Sequence, residues 1–119
     1  MEAKHMKISE EMRKGAKLTG FAREDFFDEN GRCCAIGAIG FTRSLCDDSI
    51  EDHACAAYAY LNRVTNNFDI ANQLAYAMET ELPPHITHLG DAIGWLNDNL
   101  PGFPDPRIRI ANALEEHGL

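Results

Sequence analysis

Nothing in this chain approaches the ~18 consecutive apolar residues that a membrane span requires. The N-terminal "MEAKHMKISEEMRK" carries charges where a secretory leader has its apolar region. A cytoplasmic location without membrane contact is the expectation. Residues 1–6 are expected to be vector-derived or disordered, with Met6 a candidate start, so His5 is set aside. Also missing are a glycine-rich phosphate loop, a dinucleotide fingerprint and a serine nucleophile elbow, which removes the commonest nucleotide-binding and hydrolase signatures. No internal repeat, low-complexity tract or interdomain linker interrupts the chain.

Basic residues are few. Eleven lysines and arginines stand against 19 acidic residues, a formal charge of −8, which opposes direct binding to nucleic acid or anionic lipid through phosphate contacts. The same charge suits a partner protein with a basic groove, and it also keeps a small protein soluble. Four cysteines are present, but nothing else marks secretion, so free thiols are expected; Cys33 and Cys34 are neighbours and poorly placed to bridge each other.

With 119 residues, 45% hydrophobic and 25% charged, the composition is that of a single globular domain over 1–119. The fold class expected is mainly α, about six short helices with a small antiparallel β-hairpin. The first helix, 8–18, has Ser9 as cap and Ile8, Met12 and Ala16 on one side, with Gly20 placed to stop it in the left-handed conformation. The hairpin is read from "DENG", whose Asn-Gly pair suits a tight turn between strands at 21–27 and 32–34. Residues 34–46, "CAIGAIGFTRSLC", have helical length. Their glycines lower helix propensity by about 1 kcal/mol each, so this helix is expected to sit centrally, with Gly37 and Gly40 in close packing.

A helix within 47–64 is capped by Ser49 with Asp52 three residues on, and presents Ile50, Ala54, Ala57, Tyr58, Leu61 and Val64 as a stripe. The fourth, 69–80, takes Asp69 as cap and turns Ile70, Leu74, Ala77 and Met78 inward. Thr87 caps a fifth, with Leu89, Ile93 and Leu96 aligned and Trp95 beside them. Asp105-Pro106 opens the last helix, 106–117, along which Ile108, Ala111 and Leu114 or Glu115 fall, and Gly118 closes it.

The run Cys34, Ala35, Ile36, Gly37, Ala38, with Ile93, Leu96, Asn97 and Asp98 ahead of a capped terminal helix, resembles a family of small uncharacterised bacterial and phage proteins. That family shows a Cys-Ala-Leu-Gly-Ala stretch and a later Trp-Asn-Asp element. This chain departs from it in having Leu96 where tryptophan is usual and Trp95 one place earlier, and in the prolines after Asp98. The resemblance implies a fold and a bacterial or phage origin, and no activity travels with it.

Three constellations can carry chemistry. Cys34, in a first helical turn, gains thiolate stabilisation from the helix dipole and becomes a nucleophile if His53, His85 or His88 serves as base, with Asn97 or Asp98 orienting it. Against this, no nucleophile signature surrounds Cys34, and buried cysteine ordinarily packs as a small hydrophobe. A zinc site has only His85-x-x-His88 as a paired spacing, and His53 and Cys55 point about 200° apart on a helix, so no metal or other cofactor is expected. The acidic stretches, Glu24, Asp25, Asp28 and Glu29, then Asp47 and Asp48, lack the order of a calcium loop. They can imitate a phosphate backbone in a basic groove, or simply cap helices. Asn97 and Asp98 either orient a ligand or bond the backbone near the proline-rich segment 100–106.

From these residues the leading expectation is a non-enzymatic accessory protein that binds a host protein, with a small cysteine-dependent hydrolase or transferase as the alternative. Self-association through an apolar face near Trp95 and Phe103 is a further possibility.

Overall fold

The computed structural model describes residues 6–24, 26–47 and 49–119. Six helices build it: α1 (Ile8–Leu18), α2 (Ala35–Arg43), α3 (Ile50–Leu61), α4 (Asn67–Ala77), α5 (Leu89–Asn99) and α6 (Pro106–Glu115). Two short strands, β1 (Gly20–Phe21) and β2 (Arg32–Cys33), lie between α1 and α2, and a 3₁₀ turn, Ser44–Cys46, follows α2.

Helix α2 is the centre. Residues Ala35 to Gly40 and Thr42 are all buried, and α1 and α3 pack on the helix, with α6 packed along α1 and also touching α2, α4 and α5. The glycines explain how. A Cβ on Gly40 would stand 2.6 Å from the Ile50 carbonyl oxygen and 2.9 Å from the Ala54 backbone nitrogen, and one on Gly37 would collide with the Phe26 carbonyl. Both positions therefore hold a neighbouring backbone at a distance no larger residue permits. Met12, Ile36, Ile39, Ala54, Ala57, Leu61, Leu74, Ile93, Leu96, Ile110 and Leu114 complete one contiguous apolar cluster around them.

The strands are parallel, Gly20 opposite Arg32 and Phe21 opposite Cys33, and not the antiparallel hairpin expected from "DENG". The physical reason lies in the intervening loop. Arg23 donates to the carbonyls of Asn97 and Leu100 at 2.9 Å, and the Glu24 N–H donates to Asp98 at 2.8 Å, so the chain leaves β1 to dock on the end of α5. Asn30 does not share the positive φ that a tight Asn-Gly turn needs; Gly31 alone takes it, at 78°. Asp28 closes the turn instead, accepting from the Asn30 and Arg32 N–H groups at 2.9 Å, and returns the chain alongside β1 in the same direction.

Several helix ends differ from the caps expected. Ser9 lies inside α1, fully buried, because Glu10 reaches back to the Lys7 N–H at 2.9 Å and the Ser9 N–H is taken by the Leu119 carbonyl. Gly20 does not stop α1 in a left-handed turn; Thr19 leaves in an extended conformation, and the Arg107 guanidinium takes the Ala16 and Thr19 carbonyls at 3.2 and 3.1 Å. The box between Ser49 and Asp52 does not form, since Asp47 accepts the Ser49 N–H at 2.8 Å. Helix α4 is capped by Asn66, at φ 61°, three residues ahead of the expected Asp69 cap, and buries Ala71 and Ala75 beside Leu74 while Ala77 faces out. His88, not Thr87, precedes α5, whose first N–H groups are accepted by Asn67 and Asn62 from other elements. At α6 the Asp105 cap forms as read, accepting the Arg107 N–H at 2.9 Å.

Among the described residues no helix is long and apolar enough to cross a membrane.

Candidate functional site

The region that gathers aromatic, carboxylate and thiol groups is a cleft of about 300 Å³ along α5, closed by α3, the start of α2 and the loop after β1. Its position follows from the local sequence. Asn97, fully buried on the inner face of α5, accepts the Ala35 N–H at 3.0 Å and donates to the Ala22 carbonyl at 3.0 Å, which fixes the N-terminus of α2 and the loop against α5. The opposite rim is held by Tyr58 of α3, whose hydroxyl donates to Asp91 in the first turn of α5. Asp91 keeps the phenol protonated and raises it above its ordinary range, with burial adding in the same direction.

Trp95, Tyr58, Phe26, Ile86 and Ile36 supply the apolar walls, and Glu24, Asp91 and Asp98 stand along them. Asp98 Oδ1 accepts from the Glu24 N–H and from the Asn97 amide at 3.1 Å. No lysine, arginine or histidine is among the described residues lining the cleft. Gly94 forms part of the lining, and a Cβ placed on it meets no atom within 4 Å.

Cys34 is also in this cleft. It stands at the cap position of α2 rather than in the first turn, 7% exposed, with Sγ accepting the Gly37 N–H at 3.4 Å. Burial outweighs that hydrogen bond and pushes the thiol up to about 11, the reverse of the activation expected from a helix N-terminus. Its neighbour Cys33 is fully buried beside Thr19 and Arg107, and burial raises that thiol too. None of the three histidines offered as bases lines the cleft with Cys34, and His85 is exposed ahead of α5. His53 of α3 pairs with Asp47 at 3.2 Å, and His88 contacts the Thr87 hydroxyl ahead of α5. Cys55 is exposed on α3.

The acidic residues are not one surface. Glu24 belongs to the cleft, Glu29 is exposed, and Asp28 is tied into its turn and to Arg32 at 3.0 Å. Backbone hydrogen bonds hold Asp28 and Asp47 below the usual carboxylate range: the Arg32 N–H leads at Asp28 and the Ser49 N–H at Asp47. Asp25 and Asp48 lie outside the described residues. Among the described residues no three His, Cys, Asp or Glu side chains are grouped to hold a metal ion.

Sequence reasoning placed Trp95, Tyr58 and Phe26 as packing residues and passed over Asp91 and Gly94. Gly94 carried the usable signal: a glycine inside a helix that no neighbour requires. Asn97 proved structural, though its partners are the start of α2 and the loop after β1 rather than the proline-rich segment. Compared with protein-family models, with curated proteins and with solved structures, the chain finds no match in any of the three.

Proposed function

We propose that this chain is a small acidic accessory protein that acts in the cytoplasm by binding a partner protein, without a reaction of its own. The observation carrying this reading is the α5 cleft, where aromatic walls and three carboxylates converge without a basic residue among the described lining. The formal charge of −8 favours a basic partner and speeds its approach. The one thiol among the described residues of the cleft, Cys34, is protonated at neutral pH and has no histidine on the same described lining, which favours binding over cysteine chemistry.

Affinity capture from bacterial lysate tests it. The tagged chain is expected to retain one basic or nucleic-acid-handling partner at moderate salt, and to lose it when Glu24 and Glu29 are changed to glutamine. Recovery of the chain alone would overturn the reading. Iodoacetamide labelling at neutral pH addresses the alternative. Exposed Cys55 should be alkylated and Cys34 spared, whereas Cys34 reacting as fast as Cys55 would support the cysteine-dependent hydrolase or transferase.

A further inference from the structure

We propose that the α5 cleft receives a single arginine side chain projecting from the partner protein; this rests on the binding reading above and names what the cleft holds. The first observation is Gly94. Of the five glycines within helices, Gly15, Gly37, Gly40 and Gly90 sit where an added Cβ would come within 3 Å of another group, so packing accounts for each. Gly94 has nothing within 4 Å, yet it occupies the middle of α5, where glycine weakens a helix. No packing contact explains it, and its effect is to open the wall of the cleft beside Trp95. Departures from local helix rules without a packing reason are expected where function is served.

The second observation is size. A cleft of about 300 Å³ is at the lower end of ligand pockets, fit for one side chain and too small for a nucleotide or a cofactor. The third is chemistry. The lining includes the aromatic rings of Trp95, Phe26 and Tyr58, and aromatic rings attract a cation and let a planar guanidinium stack on them. Asp91 and Asp98 each engage Oδ1 with protein donors, and Oδ2 of each has no hydrogen bond among the described residues. A guanidinium has five donors in a fixed fork and can reach two carboxylates while its stem lies on the apolar wall; an ammonium is a point charge that needs more water. Arg23, the cation nearest in sequence to Glu24, is turned to the Asn97 and Leu100 carbonyls and does not occupy the cleft lining.

The chain's single tryptophan makes the test direct, since its fluorescence reports the cleft alone. The protein is titrated with N-acetyl-Gly-Arg-Gly-amide and with the same peptide carrying lysine or citrulline in place of arginine. The arginine peptide should change Trp95 emission saturably. The lysine peptide should bind more weakly, and the neutral citrulline peptide about tenfold more weakly or worse. Gly94→Leu should fill the cleft and abolish the change while melting at or above the parent. If Gly94→Leu fails to fold, the double variant Glu24→Gln with Asp91→Asn, which keeps the oxygen that Tyr58 uses, should weaken the arginine peptide about tenfold. Citrulline binding as well as arginine, arginine binding unchanged in a folded Gly94→Leu, or no saturable response to any peptide would each overturn the assignment. Partner capture that persists in Gly94→Leu would show that binding stands while the cleft is not its seat.

Discussion

Arg107 is 2% exposed, and its guanidinium joins elements far apart in the chain: Asp105 at 2.6 Å, the Gly20 carbonyl at 2.9 Å, the Cys33 carbonyl at 3.3 Å, and the last carbonyls of α1. Removing one partner of such a buried pair strands the other, which typically costs about 3–5 kcal/mol. Arg107→Lys keeps the charge but not the fork, so it is expected to lower stability by several kcal/mol in urea titration, with Asp105→Asn losing less. The sequence showed Asp105 as a cap and left Arg107 unremarked, because an arginine two residues into a helix looks like any solvated charge. Its burial depends on carbonyls from α1, β1 and β2, which no local pattern announces.

At the same scale, Cys34 titrates from an ordinary 9.0 to about 11 on folding. A thiol raised this way contributes its stability below the unfolded pKa and loses it as pH climbs toward the folded one. Stability should therefore fall between roughly pH 9 and 11, by on the order of 3 kcal/mol from this group. Cys34→Ala should flatten that part of the alkaline unfolding curve; a curve as steep as the parent's would show that Cys33 and Tyr58, also raised, carry it instead.

Among the elements, α2 was the most legible, because the run of alanine, glycine and isoleucine has no polar face to give to water. Its two glycines and Gly94 separate close packing from open space. Gly37→Ala and Gly40→Ala should each lose about 1–3 kcal/mol through overpacking, even though alanine is the better helix former. Gly94→Ala should gain up to about 1 kcal/mol, roughly 4 °C in melting temperature. Thermal melts of the three variants check the ranking, and a stabilised Gly40→Ala would contradict the approach of Ile50 and Ala54. The strands were the least legible. "DENG" is a fair turn signal, but strand direction was decided by Arg23 and Glu24 binding the end of α5, more than 70 residues later. Caps failed for a related reason: Ser49 and Thr87 have the right chemistry, but Asp47, Asn62 and Asn67 supply the oxygens from outside the helices they serve.

Across the whole molecule, composition and periodicity gave the helical class and the buried stripes, while the cleft stayed hidden because its lining comes from four separate segments. The acidic runs drew attention in the sequence, yet Asp28 and Asp47 are engaged locally and Glu24 alone of the described acidic candidates reaches the cleft. One further consequence concerns synthesis. Helix α6 packs along α1, and its Arg107 closes the strands, so α1 and α2 leave the ribosome several seconds before the helix that covers them. During that interval the side of α1 that α6 covers, with the Ala16 carbonyl that Arg107 takes, is unsheltered. Ribosomes stalled ahead of Pro106 should hold a chain that proteases cut readily and chaperones retain, and release into the resistant state should await emergence of α6.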